Sequence, residues 1–209
     1  MPAPVNLLLA TSNPGKLREY QVLASGERRG GAIELALIPG FEGLPRFNES
    51  AATFAENAAG KALHYSRYAR LPVMADDSGL LVPALGGVPG VESARYAGPG
   101  ASDADRIRKL LEELRSTKVR DRAARFVCVL ALVQQGRALG VFSAFAAGEL
   151  LEAPRGSQGF GYDPIFYYPP LGRTFAELTR EEKNQHSHRG QAFRKLLAFL
   201  ESAGHAHVA

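Results

Sequence analysis

Hydrophobic and polar positions change period several times along the chain. VNLLLA at 5–10 is a short apolar run, fit for a buried strand. NPGKLREYQVLA follows, with Leu17, Tyr20 and Leu23 at helical spacing and Pro14 suited to a first helical turn. AIELALI at 32–38 predicts a second strand. Thr53 and Glu56 have the spacing of a capping box and open a helix predicted to run to about Arg70, where Pro72 stops it. VMA at 73–75 then makes a brief strand that delivers Asp76 and Asp77.

The segment 80–100 is rich in glycine and proline and reads as a loop, apolar enough at PALGGVPGV to suit an interface, or else to cover a cleft. Ser102 and Asp105 predict another capped helix, in which ADRIRKLLEEL carries an apolar stripe. Residues 123–150 read as a long β-hairpin turning at Gly136, followed by a second glycine-rich loop, APRGSQGFGYDP. A last helix is predicted over 187–202, with Phe193, Leu196, Leu197 and Leu200 on its core face, ahead of a fraying tail, GHAHVA. Strands toward both ends with helices between them predict an α/β domain around a mixed sheet.

Composition narrows the class. The 209 residues are 45% hydrophobic, enough for a substantial core, and read as a single domain spanning 1–209. A net charge of +4 suits an anionic small molecule as well as a nucleic acid and decides little alone. Cys128, the one cysteine, sits in an apolar strand and reads as a small core residue. No apolar stretch approaches the ~20 residues of a membrane span, and the N-terminus lacks the basic start of a signal peptide. The expectation is a cytoplasmic protein with no membrane partner.

Five stretches carry candidate chemistry. ATSNPGK at 10–16 places small polar residues between a strand and a helix, where backbone N–H groups and the helix dipole favour phosphate. Lys16 adds a charge, yet the first glycine of a Walker loop is missing and Leu17 stands where its Ser or Thr would be. The same residues also suit an ordinary capped helix. In ADDSG, two adjacent carboxylates stay ionised in a buried place only beside a compensating cation. Magnesium fits, since it takes one or two carboxylates plus substrate phosphates. The Asp-x-Asp of aspartyl-phosphate hydrolases is absent from this stretch. Phe54, Asn57 and Lys61 share a helical face, either as a phosphate-reaching stripe or as a solvated edge, with Glu49 just ahead as a further metal-ligand candidate. Phe160 and Tyr162 in GFGYDP offer faces for a base, or plugs for the core. In EEKNQHSHRG, Ser187 is placed to cap the last helix, setting His188 and Arg189 at its positive end near Lys183. His205 and His207 carry no assigned role.

Taken in order, TSNPGK, TFAENAAGKA, ADDSGL, GGVPGVESARYAG, GFGYDPIF and ELTREEKNQHSHRGQA resemble the Ham1/inosine triphosphatase family of non-canonical purine nucleoside triphosphate pyrophosphatases, bacterial type, from about Leu7 to Leu200. The resemblance implies hydrolysis of ITP, dITP and XTP to the monophosphate and pyrophosphate, magnesium dependence and a homodimer. It also implies an elongated mixed β-sheet flanked by helices, with two lobes and a cleft between them. Carried over by motif, Thr11, Ser12, Asn13, Pro14, Gly15 and Lys16 line the triphosphate. Asp77 is general base and magnesium ligand, with Asp76 and Glu49 supporting the metal. Ser78, Lys61 and Lys183 contact phosphate or sugar. Phe160, Gly161, Tyr162 and Asp163 hold the base, and His188 and Arg189 read its edge. Two departures stand out: Ala51 and Ala52 replace a familiar Gly-Leu, and Gly60 interrupts the helix. They bear on the placing of Glu49. Other readings remain open at this level: a Maf-type pyrophosphatase acting on other nucleotides, or a nucleotide- or RNA-binding module without catalysis.

Overall fold

The computed structural model of the protein describes residues 5–26, 33–117 and 119–206, with side chains described as far as residue 202. Ala32 of the predicted second strand and residues 207–209 of the tail lie outside the described residues.

Strand β1 (Val5–Ala10) is buried over its last four residues, and α1 (Pro14–Gly26) begins at the proline, as its restricted φ favours. β2 (Ile33–Leu37) alternates between half-buried and exposed positions, the pattern of a strand covered on one face. Helix α2 (Phe54–Ser66) opens on the full Thr53–Glu56 capping box. It ends at Ser66 rather than near Arg70. The Tyr68 N–H bonds the Tyr65 carbonyl in a turn, and the extended preference of a residue before proline keeps Leu71 out of a helix.

β3 (Val73–Leu81) has nine residues instead of the predicted three. Asp76 and Asp77 therefore lie in mid-strand and not beyond its end. Apolar residues flank them on both sides, with Val73, Met74 and Ala75 before and Leu80 after, all fully buried. That burial overrides the poor strand propensity of aspartate. Short 3₁₀ turns at Pro83–Leu85 and Gly90–Arg95 occupy the predicted loop. α3 (Asp103–Ser116) carries the Ser102–Asp105 capping box. β4 (Ala123–Gln134) and β5 (Arg137–Leu150) form the long hairpin, with Gln135 at φ 48° and Gly136 at φ 77° in its turn. Two such left-handed residues match the twist of paired strands.

β6 (Phe166–Tyr168) and β7 (Arg173–Thr174) are too short to show a period, and α4 (Arg180–His186) is a single capped stretch ahead of α5 (His188–Ala206). The seven strands form one mixed sheet in the order β2-β1-β3-β4-β5-β6-β7. β1 runs parallel to β2 and β3, while β6 runs antiparallel to β5 and β7.

The chain divides into two compact units. The first comprises residues 1–77, 128–144 and 189–209; the second comprises 78–127 and 145–188. Each has its own core. Leu7, Leu9, Tyr20, Met74, Leu130 and Phe193 centre the first, which also holds Cys128 as a buried packing residue. Leu80, Ile107, Leu110, Phe126, Phe166 and Phe175 centre the second. Among the described residues no helix is long and apolar enough to cross a membrane.

Candidate active site

Successive side chains of a strand point to opposite faces. Asp76 and Asp77 are neighbours in sequence, yet β3 separates their carboxylates and gives each its own surroundings. Asp76 is 1% exposed and is met by side chains of α1, α5 and β4. Lys16 forms an ion pair with its Oδ1, Tyr20 donates to Oδ2 at 2.6 Å, and Arg189 Nε donates to Oδ2 at 3.1 Å. Arg189 also pairs with Glu19. Burial works to raise the Asp76 pKa, but Lys16 and Arg189, with the bonds from Lys16 and Tyr20, hold it well below the usual carboxylate value. The compensating cations that the sequence demands of this acid are thus the protein's own. Both carboxylate oxygens of Asp76, expected to support a metal, serve Lys16, Tyr20 and Arg189 here.

Asp77 faces α2. Burial raises its pKa most, Lys16 and Lys61 oppose, Glu49 adds to the rise, and a bond with Asn57 lowers it; the balance is about 6. The alternative of a solvated helix edge is excluded for α2: Asn57 is 1% and Lys61 7% exposed. The Asn57 amide holds both backbone groups of Ala51, accepting from its N–H at 3.0 Å and donating to its carbonyl at 3.3 Å. Lys61 pairs with Glu49 and donates to the Asp76 backbone carbonyl at 2.6 Å. Gly60 has a reason: a Cβ there would stand 2.6 Å from the tip of the Phe47 ring. The glycine lets the segment that carries Glu49 lie against the helix.

Among the described residues no group of three or more His, Cys, Asp or Glu could cage a metal. Asp77 and Glu49 are two hard oxygen donors of the first unit, near enough for the Glu49 charge to raise the Asp77 pKa. That set fits magnesium, which binds through one or two carboxylates and completes its shell with water and phosphate.

The start of α1 is self-capped. Asn13 Oδ1 accepts from the N–H groups of Gly15 at 2.8 Å and Lys16 at 3.1 Å, and Thr11 Oγ1 accepts from Asn13. The capped-helix alternative therefore describes these N–H groups. Ser12 and Pro14 are exposed, Asn13 and Lys16 half-buried, and Thr11 and Gly15 buried.

The remaining candidates belong to the second unit, except Arg189. Phe160 is half-buried; its N–H donates to Asp163 Oδ2 at 2.8 Å, and Lys183 Nζ stands 5.0 Å from its ring centre. Lys183 pairs with Asp163 in a buried contact. Gly161 donates its N–H to Asp103 at 2.6 Å. Tyr162 is a core plug rather than an open face for a base: it is buried and its hydroxyl donates to the Ser93 carbonyl at 3.0 Å. Ser78 is half-buried in β3. His188 is buried with its ring stacked on Phe126 at 4.8 Å. Arg189, expected at the edge of the base, is instead 2% exposed and bonded to Asp76 and Glu19. Sequence reasoning missed Glu19, Tyr20 and Asp103. Glu19 and Tyr20 follow Lys16 at helical spacing, and Asp103 follows the Ser102 cap, which were the available signals.

A mixed α/β chain with an acid of raised pKa beside two lysines has the makings of a protein that handles an anionic ligand with proton transfer. The chain belongs to the Ham1 family, whose profile matches residues 7–199. It is 50% identical over 190 residues to a dITP/XTP pyrophosphatase of Geobacillus kaustophilus, covering 91% of each chain. It is 47% identical over 199 residues to one of Methylococcus capsulatus, covering 94% of this chain and 96% of that one. A solved Ham1 protein from Coxiella burnetii superposes with a TM-score of 0.84 at 44% identity, covering 95% of this chain and 99% of that one.

Proposed function

We propose that the protein hydrolyses non-canonical purine nucleoside triphosphates (ITP, dITP and XTP) to the monophosphate and pyrophosphate, and so clears them from the nucleotide pool. The observation that carries this reading is Asp77. Its pKa of about 6 leaves it mostly ionised at neutral pH yet basic enough to take a proton. The names of the relatives give the substrate class.

In the proposed reaction Asp77 accepts a proton from the water that attacks the α-phosphorus. The bond from that phosphorus to the α,β-bridging oxygen breaks, and pyrophosphate leaves. Lys16 and Lys61 offset the charge of the triphosphate tail as the nucleophile approaches. Asp77 and Glu49 are the residues that would hold magnesium, which supplies Lewis-acid stabilisation of phosphate charge when bound. The half-buried Phe160 ring offers a face for the base. A homodimer and a cytoplasmic setting belong to the same proposal. Val141 and Phe145, both exposed on β5, are apolar positions that a second copy would cover.

The deciding experiment is a panel of triphosphates with product analysis. Release of pyrophosphate from ITP, dITP and XTP, with poor turnover of ATP, is the expected result. Preference for dTTP or UTP would replace this reading with a Maf-type activity, and no turnover at all would end it. Asp77→Asn should keep nucleotide binding and lose turnover by about 10²–10⁴-fold, the usual worth of a positioned base. It should also abolish a rise in melting temperature that magnesium gives the parent protein. Near-normal turnover at saturating magnesium rules out the base role.

A further inference from the structure

We propose that Asp103 is a positioning residue for nucleobase recognition, a strut that fixes the Phe160 loop from 58 residues away in sequence. The inference rests on the reading above, in which the Phe160 ring meets the base.

The loop at 159–163 is held by carboxylates at two consecutive amides. Asp163 accepts from the Phe160 N–H and Asp103 from the Gly161 N–H. Asp163 belongs to the loop itself and moves with it. Asp103 does not: it is the first residue of α3, whose start is clamped by the reciprocal Ser102–Asp105 bonds. Arg106, one turn on, pairs with the other carboxylate oxygen of Asp103 and donates to the carbonyls of Ala94 at 2.9 Å and Ala101 at 2.6 Å. The Asp103 carboxylate is thus oriented from its own helix before it meets the loop. Gly161 adopts φ 64°, and a Cβ there would meet nothing within 4 Å. Conformation rather than crowding selects glycine there, and an outside acceptor holds that left-handed turn in place. Phe160, the residue before it, is held at its own N–H and at the next one, with Lys183 over its ring. Stacking on an aromatic face depends on where that face points, so a loop tied at both amides discriminates among bases better than a loose one.

The test compares Asp103→Ala with Asp103→Asn in the full-length protein. Asparagine keeps an acceptor oxygen for the Gly161 N–H while losing the charge that pairs with Arg106; alanine loses both. Alanine should raise KM for ITP about tenfold, leave kcat within about twofold, and reduce the preference for ITP over ATP, as loss of one charge-assisted bond predicts. It should also speed amide exchange in a peptide spanning 157–165. Asparagine should restore most of both readouts. Parent-like KM and exchange in the alanine variant overturn the proposal. So does equal impairment by both substitutions, which would mark Asp103 as a support of α3 alone. If the parent protein cleaves no triphosphate, the functional reading fails on its own. Amide exchange then still decides the strut: faster exchange in the alanine variant alone supports it, and unchanged exchange overturns it.

Discussion

At the scale of single residues, Asp76 and Asp77 are chemically identical and physically opposite. Lys16 and Arg189 close around Asp76, so its ionised form is favoured despite burial. Asp76→Asn leaves those cations without their acid. It should cost about 3–5 kcal/mol in chemical denaturation, the range for breaking one partner of a buried pair. Asp77 has the reverse balance. Its pKa rises from 3.8 to about 6, so the folded state holds a proton that the unfolded chain has released over that interval. Its ionisation therefore weakens the fold fully above pH 6 by about 3 kcal/mol, a cost that fades as pH falls through 6 toward 4. Metal-free denaturation curves should show that slope in the parent protein and lose it in Asp77→Asn. The acidic motif was legible in the sequence, and so was the need for compensating charge. Its source was not: Arg189 lies 113 residues from Asp76, and no local period announces such a contact.

Among elements, capped helices were the most legible. Thr53–Glu56 and Ser102–Asp105 are local signals, and both form the predicted boxes. The same spacing at Thr179–Glu182 opens α4, whose seven residues are too few to show a helical period. The length of β3 is not legible for the opposite reason: its central acids mask a buried strand whose continuation depends on tertiary cover. Gly60 looked like a weak point in α2 and proved to be a seat for Phe47. An exposed Gly→Ala change in a helix gains up to about 1 kcal/mol. Here Gly60→Ala should instead lower stability by about 1 kcal/mol through overpacking, and Gly60→Ala with Phe47→Leu should recover the gain. Thermal melts of the parent protein and the two variants check this.

Over the whole molecule, the charge of +4 left two partners open, a small anion and a nucleic acid. Ionic strength separates them. The proposed activity should show a KM for ITP that changes less than about tenfold between 50 and 200 mM salt, whereas a protein making many phosphate contacts on a nucleic acid loses about 10³–10⁵ in affinity over that span. Kinetics across a salt series is the measurement. The lysines that matter are few and local: Lys16 and Lys61 both bond to Asp76, one through its carboxylate and both through its backbone carbonyl.

Because β3 alternates its side chains, the two acids are assigned by odd and even position alone. Slipping the strand by one residue would hand the Asp77 environment to Asp76 and turn Asp77 toward Arg189, while carrying Met74 and Leu80 out of their cores. Parity in this strand thus ties the chemistry to both hydrophobic cores at once. A single-residue insertion after Pro72 is a sharper lesion than most substitutions, for it would spoil the fold and the acid in the same stroke.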